Sequence, residues 1–445
     1  MQIRVGLTTS DLTDLLHKSV SISSSGVFTL VFAPASQKNP QPETAPHMVS
    51  TAAVPVTVTS KGGVLHITGV QAPELKRGDT ITVIHQDTLS LTIDTISRIQ
   101  GGVKKSPQYL GQLQIIAAGD QVRVILLCDL EDYIKGVLQS EIPASYHMEA
   151  IKAQAVAART YALRPRIDHT ADQCNVCDSY LCCQYFAGLE RISNAHREAI
   201  AATRGKILTY NDQPILALFS SCAGGHTESF DNCFSDPGTN QFPPAALPYL
   251  VGVSESKFND VIKTPLTEQD LRRIYSDKLY HSVDSWSPNF RWRVHMPASA
   301  LEAHMHEEVR KLQLNKEMAP FVQAPPSGQF GHIQSFEVGK RGVAGTAILL
   351  SVNTSRGVWT FTKELVIRSA FKNSELKLAR LKSARFFIDE ERDQLGLLSS
   401  ATISGFGWGH GVGMQQTGAQ GWARQGKTYS QILGHYFQHA VIQQV

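Results

Sequence analysis

No stretch of this 445-residue sequence is apolar for long enough to cross a membrane as a helix. The first residues, M-Q-I-R-V-G-L-T-T-S-D, also lack the apolar centre of a secretory signal peptide. Two readings fit that absence: an intracellular protein, or a mature chain carrying an added Met. Charge of one sign is missing too. The 42 Lys and Arg residues nearly balance 39 Asp and Glu, leaving a net charge of +3, too mild and too evenly spread to argue for nucleic acid. No internal repeat and no low-complexity tract occurs. A serine hydrolase of the G-x-S-x-G type is excluded, because no such elbow surrounds Ser220 or Ser221. The glycine-dense stretch 405–413 is not a nucleotide loop: no Lys-Ser or Lys-Thr directly follows its glycines, and too little chain remains for a βαβ unit.

What is present is organised around residues 130–163. Leu130, Tyr133, Ile134, Val137 and Leu138 follow the spacing of one helical face. Pro143 stops that helix, since it lacks an N–H and forces Ile142 out of the helical region. Past Ser145, a candidate N-cap, an alanine-rich helix is expected to run to about Leu163. Glu141 is the one carboxylate in the break. Helix carbonyls and a wall of Leu, Ile and Ala are expected to raise its pKa, as a general acid near neutral pH requires. A solvated corner residue is the competing reading.

Before these helices, residues 1–128 read as all-β. Short β-branched runs such as Ile3–Leu7, Val27–Phe32 and Thr80–Ile84 are punctuated by turn residues, and Ala35–Thr51, rich in proline, reads as a loop. Gly119-Asp120 turns a strand pair into the first helix. Downstream, Thr267-x-x-Asp270 and Thr428-x-x-Gln431 open helices, alternation returns over 332–388, and 319–331 is a linker-like connection.

Three further constellations carry candidate chemistry. Cys174, Cys177, Cys182 and Cys183 lie within ten residues, with His169 just upstream. Thiolates and an imidazole this close suit tetrahedral zinc; disulfides or free buried thiols are the alternatives. The 220–228 block turns at Gly224-Gly225 and reads either as a substrate loop presenting Ser221, Gly225, His226, Thr227 and Glu228 or as a plain hairpin turn, with Cys222 able to pair with Cys233. Around Trp408 and His410, close backbone and a flat ring suit the face of a sugar; a glycine-padded packing joint is the alternative.

The segments S-E-I-P-A-S and E-A-I-K-A-Q-A-V-A-A-R-T-Y-A-L resemble the signature of the stage II sporulation protein D (SpoIID/LytB) family. C-Q-Y-F-A-G at 183–188, F-S-S-C-A-G-G-H-T-E at 219–228 and G-W-G-H-G-V-G-M-Q-Q-T-G-A at 407–419 match in the same order. The resemblance covers roughly 105–445, which leaves 1–104 as an N-terminal β-rich region. It implies a bacterial cell-wall protein, and from its sporulation member a lytic transglycosylase on peptidoglycan glycan strands, with Glu141 in the catalytic place. It implies substrate contacts by Lys152, Gln154 and Arg159, by the 221–228 loop, and by Trp408, His410 and Gln415. For a structural zinc it matches Cys177 and Cys183, puts Cys182 where a His would stand, and leaves His169 or Cys174 for the remaining ligand. A cell-envelope location follows, with the signal segment absent from this sequence. The expected fold is α+β: mostly antiparallel sheet, a packed helical pair carrying Glu141, and a substrate cleft. The LytB branch implies the alternative of a glycan-binding partner of a wall amidase, without chemistry of its own.

Overall fold

In a computed structural model, the described residues are 1–34, 48–85, 90–100, 102–165, 169–189, 192–256, 265–277, 280–372 and 377–445. They form an α+β protein built as two compact units, Met1–Ile207 with Gln444–Val445, and Leu208–Gln443. The family resemblance begins near 105, well inside the first unit.

In the first unit, period-2 burial builds two sheets. The larger has the strand order Val176–Cys177, Gln2–Gly6, Gln121–Asp129, Gln112–Ala118, Thr80–His85, Phe28–Ala33 and Met48–Ala52, with Leu16–His17 pairing on the side. The neighbours described are antiparallel except the first pair, where Val5 lies opposite Val176 in parallel register. Ile3, Val5, Leu113, Ile115, Val122 and Val124 point inward and are buried. The second sheet runs Gln108–Tyr109, Leu91–Ile93, Ser19–Ser24, Val56–Lys61 and Val64–Thr68, and its Val20, Ile22, Val56 and Val58 fill the space against the first. Met48–Ala52 corrects the loop expected over 35–51. Val49 pairs with Val31, so this stretch is an edge strand, while 35–47 lie outside the described residues.

The strand Gln121–Asp129 feeds directly into α1, Leu130–Glu141, whose N-cap Asp129 accepts the Glu131 N–H. The face read from the sequence is the buried one: Leu130, Tyr133, Ile134, Val137 and Leu138. Ile142 is extended, as the residue before Pro143 must be. The second helix, α2, covers Met148–Leu163 and is capped by His147, whose Nδ1 accepts the Glu149 N–H at 3.2 Å. The cap expected at Ser145 is thus two residues early. Ala150, Ala153, Ala155, Ala157 and Ala158 are all buried, so α2 has core on several sides. A third helix, α3, at Asn194–Ala202, packs on both.

The second unit holds a four-stranded antiparallel sheet (Val322–Gln323, Gly357–Thr362, Ala347–Thr354, Ile333–Arg341) and a three-stranded one (Arg291–Pro297, Leu398–Phe406, Phe386–Arg392). The helix Ala298–Leu314 contributes Leu301, Met305, Val309 and Leu312 to their shared core, with Trp292, Trp359 and Phe361. Both expected capping boxes close, at Thr267 with Asp270 and at Thr428 with Gln431.

Candidate functional site

Glu141 is the last residue of α1, and its Oε1 accepts the Tyr185 backbone N–H at 2.6 Å. The residue before it makes a matching clamp: Ser140 Oγ accepts the Ala187 N–H at 3.1 Å and donates to the Gly136 carbonyl. The 183–188 block is therefore a brace on the end of α1. Phe186 fills the hole beneath, with its ring 5.1 Å from that of Tyr133 and 5.9 Å from that of Tyr109. A Cβ on Gly136 would sit 2.3 Å from Phe186 Cε2, so the ring reaches the helix only because residue 136 is glycine. Gln184 Nε2 donates to Tyr133 Oη and to the Ala158 carbonyl, stitching α1 to α2. The carboxylate thus meets a backbone donor and a half-open surface rather than the purely apolar wall expected.

Of the helix residues expected at substrate, Arg159 is completely buried. Its Nε and Nη2 grip both oxygens of Glu131 at 2.9 and 2.8 Å, and its Nη1 reaches the Lys206 carbonyl, so it holds α2 on α1. Gln154 is also fully buried, and neither of its amide atoms finds a partner among the described residues. Lys152 lies at the partly exposed start of α2, paired with Glu149.

The cysteine loop gathers four of its five expected ligands. Single ligand atoms of His169, Cys177, Cys182 and Cys183 lie within 4.8 Å of one another. His169 Nε2 is 3.2 Å from Cys183 Sγ and 3.4 Å from Cys182 Sγ, and the two sulfurs are 3.9 Å apart. Tetrahedral zinc with its usual bond lengths spaces such atoms by about 3.5–3.8 Å, so this donor set fits zinc. Cys174 is not in the group; it is buried beside Gly6. None of the seven cysteines forms a disulfide, so Cys222 and Cys233 are not paired. Without a cation, hydrogen bonds with Cys182 and Cys183, and then burial, push the Cys177 thiol up. A dication would reverse this by coordinating thiolate. Sequence reasoning missed Asp172, whose Oδ2 lies 3.1 Å from His169 Nδ1 while Oδ1 pairs with Arg123. A carboxylate on the far imidazole nitrogen orients a ligating histidine, and the i, i+3 spacing from His169 was the available signal. Missed as well was Asp178, fully buried with Arg98 and bonded to the Thr8 N–H and hydroxyl.

In the second unit the 219–228 and 407–415 blocks form one piece of structure. Phe219–Ser220 pairs in parallel with Met414–Gln415, and Cys222 bridges Trp408. Most of the expected substrate groups are turned inward here. Glu228 is buried, with its carboxylate accepting the N–H groups of Ser229, Val343 and Ala344 and the Asn232 amide. Gln415 is buried and accepts from Ser220 Oγ. His410 Nδ1 accepts the Val412 N–H, so Nε2 carries the proton and donates to the Phe219 carbonyl. Burial pulls the pKa of both His410 and His226 down to about 4. Thr227 Oγ1 takes the Val253 N–H, and the Gly224 and Gly225 N–H groups are held by buried Asp284, another residue the sequence did not flag. Ser221 is half-buried. Trp408 is the outward group, 48% exposed, with Lys382 Nζ 5.5 Å from its ring centre.

Residues 118–210, which hold Glu141, the brace and the cysteine cluster, match the family model described as Stage II sporulation protein (SpoIID). The chain carries a SpoIID domain. Residues 237–413 match a second model, described only as a domain of unknown function. The chain is 28% identical over 323 residues to the stage II sporulation protein D of Bacillus subtilis (strain 168), covering 69% of this chain and 73% of that one. It is 30% identical over 309 residues to the amidase enhancer of the same organism, covering 68% of this chain but only 39% of the enhancer. An uncharacterised protein of Brachyspira hyodysenteriae aligns over 81% of both chains at 28% identity. Among the described residues no helix is long and apolar enough to cross a membrane.

Proposed function

We propose that this chain is a cell-envelope enzyme that cleaves peptidoglycan glycan strands as a lytic transglycosylase, with Glu141 as its acid and then its base. The observation that carries the reading is the fixed carboxylate: two sequence blocks, the helix break and 183–188, meet at Glu141 and hold it half-open to solvent. Protonated Glu141 gives its proton to the oxygen joining muramic acid to N-acetylglucosamine as the C1–O bond breaks and the sugar becomes oxocarbenium-like. The carboxylate left behind takes the proton of the muramyl C6 hydroxyl, whose oxygen bonds to C1 and closes the 1,6-anhydro ring. Because that nucleophile belongs to the substrate, a second catalytic carboxylate is not needed. Zinc held by His169, Cys177, Cys182 and Cys183 would supply a rigid tie. The chain's own Asp172 orients His169, and the loop so tied leads straight into the Tyr185 N–H that holds Glu141. In the second unit, exposed Trp408 offers a flat face to a sugar ring beside the Lys382 cation.

Glu141→Gln tests the reading. It should abolish release of 1,6-anhydro products from peptide-free glycan strands, a loss of roughly a hundred- to ten-thousand-fold for a general acid–base group, with the fold intact by circular dichroism. A folded mutant that keeps the parent rate moves the chemistry elsewhere. The second reading, a glycan-binding partner of a wall amidase, is favoured by the name of the Bacillus subtilis enhancer. Tight glycan binding with no anhydro product from the parent chain would select it.

A further inference from the structure

The N-terminal β-rich region has no role in the chemistry above, yet one of its hairpins is joined through Tyr185 to the loop that holds Glu141. Arg98–Gln100 and Val103–Lys105 pair as a short antiparallel hairpin. Two contacts fasten it to the loop that braces the carboxylate. Arg98, fully buried, donates from Nε and Nη2 to Asp178 Oδ2. Tyr185 Oη accepts the Ile99 N–H and donates to the Ile99 carbonyl, both at 3.2 Å. Tyr185 is the residue whose own N–H holds Glu141. One tyrosine therefore joins hairpin and carboxylate within a single compact unit.

The surface around this joint is unusually apolar for exposed protein. Ile99 is 63% exposed, Tyr180 55% and Leu181 45%, and the Tyr180 ring stands edge-on to Tyr185 with centroids 5.5 Å apart. An exposed cluster of this kind, continuous with a candidate site, marks a binding surface. Its charge narrows the ligand. Lys104 lies directly across the hairpin from Ile99, on the same face, and is exposed. Aromatic faces with a cation alongside suit a sugar strand that carries carboxylates.

We propose that the strands Arg98–Gln100 and Val103–Lys105 and the Tyr180–Tyr185 pair form a glycan subsite flanking Glu141, with Tyr180, Leu181 and Ile99 against sugar rings and Lys104 opposite the lactyl carboxylates of muramic acid. The proposal rests on the transglycosylase reading for its choice of glycan. It assigns the N-terminal β-region a part in placing the strand.

The test uses the full chain carrying Glu141→Gln, so that binding is measured without turnover, against peptide-free glycan strands and against a chito-oligosaccharide that lacks lactyl groups. Tyr180→Ala should weaken binding of both by about tenfold. Lys104→Glu should weaken only the carboxylate-bearing strands, and the loss should shrink as salt is raised. Both positions are exposed, so melting temperatures should match the parent. Unchanged affinity in both variants overturns the subsite, as does equal loss of both ligands in Lys104→Glu. These outcomes are independent of the chemistry: a wild-type chain that makes anhydro product while both variants bind normally sinks the subsite alone. Absence of product with the expected binding losses sinks the transglycosylase alone.

Discussion

Gly136→Ala is the most informative single change, because two known effects oppose each other and the structure says which prevails. In an ordinary exposed helix position the substitution gains about 0.8–1 kcal/mol from helix propensity. Here the new methyl would lie 2.3 and 2.6 Å from two ring carbons of Phe186 and 3.1 Å from the Gly188 carbonyl oxygen. The ring has no easy retreat, being 1% exposed between Tyr109 and Tyr133. Overpacking of a filled core costs about 1–3 kcal/mol, and a clash this close falls in the upper part of that range, so after the propensity gain a net loss of about 1–2 kcal/mol is expected, or a fall in Tm of roughly 2–8 °C for a unit of this size. The larger effect falls on function. The 185–188 backbone must shift to relieve the clash, and with it the N–H that fixes Glu141, and misplacement by about 1 Å can cost on the order of a hundredfold in rate. Thermal unfolding and release of anhydro product measure the two effects. Phe186→Leu in the Gly136→Ala background removes the clashing ring atoms, so the pair should be more stable than the two single losses summed. A Gly136→Ala protein that melts at or above the parent temperature and cleaves at the parent rate would refute the claim that this brace positions Glu141.

Chelation and Cys177→Ser should both lower the Tm of the purified chain, and Asp172→Asn should weaken zinc by about 10–100-fold in competition with a coloured chelator; metal analysis finding no zinc overturns this. Glu228→Ala should destabilise the second unit by several kcal/mol, on the order of 3–5 for a broken buried network, since it strands the N–H groups of Ser229, Val343 and Ala344; normal urea unfolding would show that the carboxylate is dispensable. Burial sets His226 and His410 to about 4 against 6.5 unfolded. Their contribution to stability is therefore complete above pH 6.5 and falls as pH drops toward 4, by roughly 1.4 kcal/mol per pH unit for each. An unfolding midpoint that does not move between pH 7 and 4.5 contradicts it.

Local rules in the sequence located much of the framework. Pro143 ends α1 where its missing N–H requires, the Thr267 and Thr428 boxes close as patterned, and Gly119 takes the positive φ of its turn, +64°. The errors came where a distant partner decides. Met48–Ala52 follows a proline-rich stretch and looks like more loop, but pairing with Phe28–Ala33 makes it a strand. Ser145 is the better cap by residue type, yet the turn from Pro143 to Tyr146 delays the helix and His147 takes the role. Asp178 and Asp284 carry no motif, and Asp172 has only its i, i+3 spacing from His169. Their importance lies in bonds to His169, Arg98 and the Gly224-Gly225 amides, contacts that only the fold creates.

The glycine-rich block shows how a correct inference about backbone can misassign side chains. Glycine density over 405–413 argued that something approaches closely, and something does: a Cβ at Gly407 would meet the Cys222 carbonyl at 2.4 Å, and one at Gly413 the Leu218 carbonyl at 2.2 Å. The close neighbour is the chain's own 218–223 segment. His410 and Gln415 are spent on that joint, bonded to Phe219, Val412, Gly413 and the Ser220 hydroxyl, while the Glu228 carboxylate is taken up by Ser229, Asn232, Val343 and Ala344. Burying them there has a consequence for Trp408. Its main chain is locked by two hydrogen bonds to Cys222, at 2.9 and 3.1 Å, while its indole remains half-exposed. A ring held by a rigid joint would lose little freedom if a sugar stacked on it, so under the proposed reading the polar groups buried beneath would serve binding indirectly, by keeping that one surface fixed.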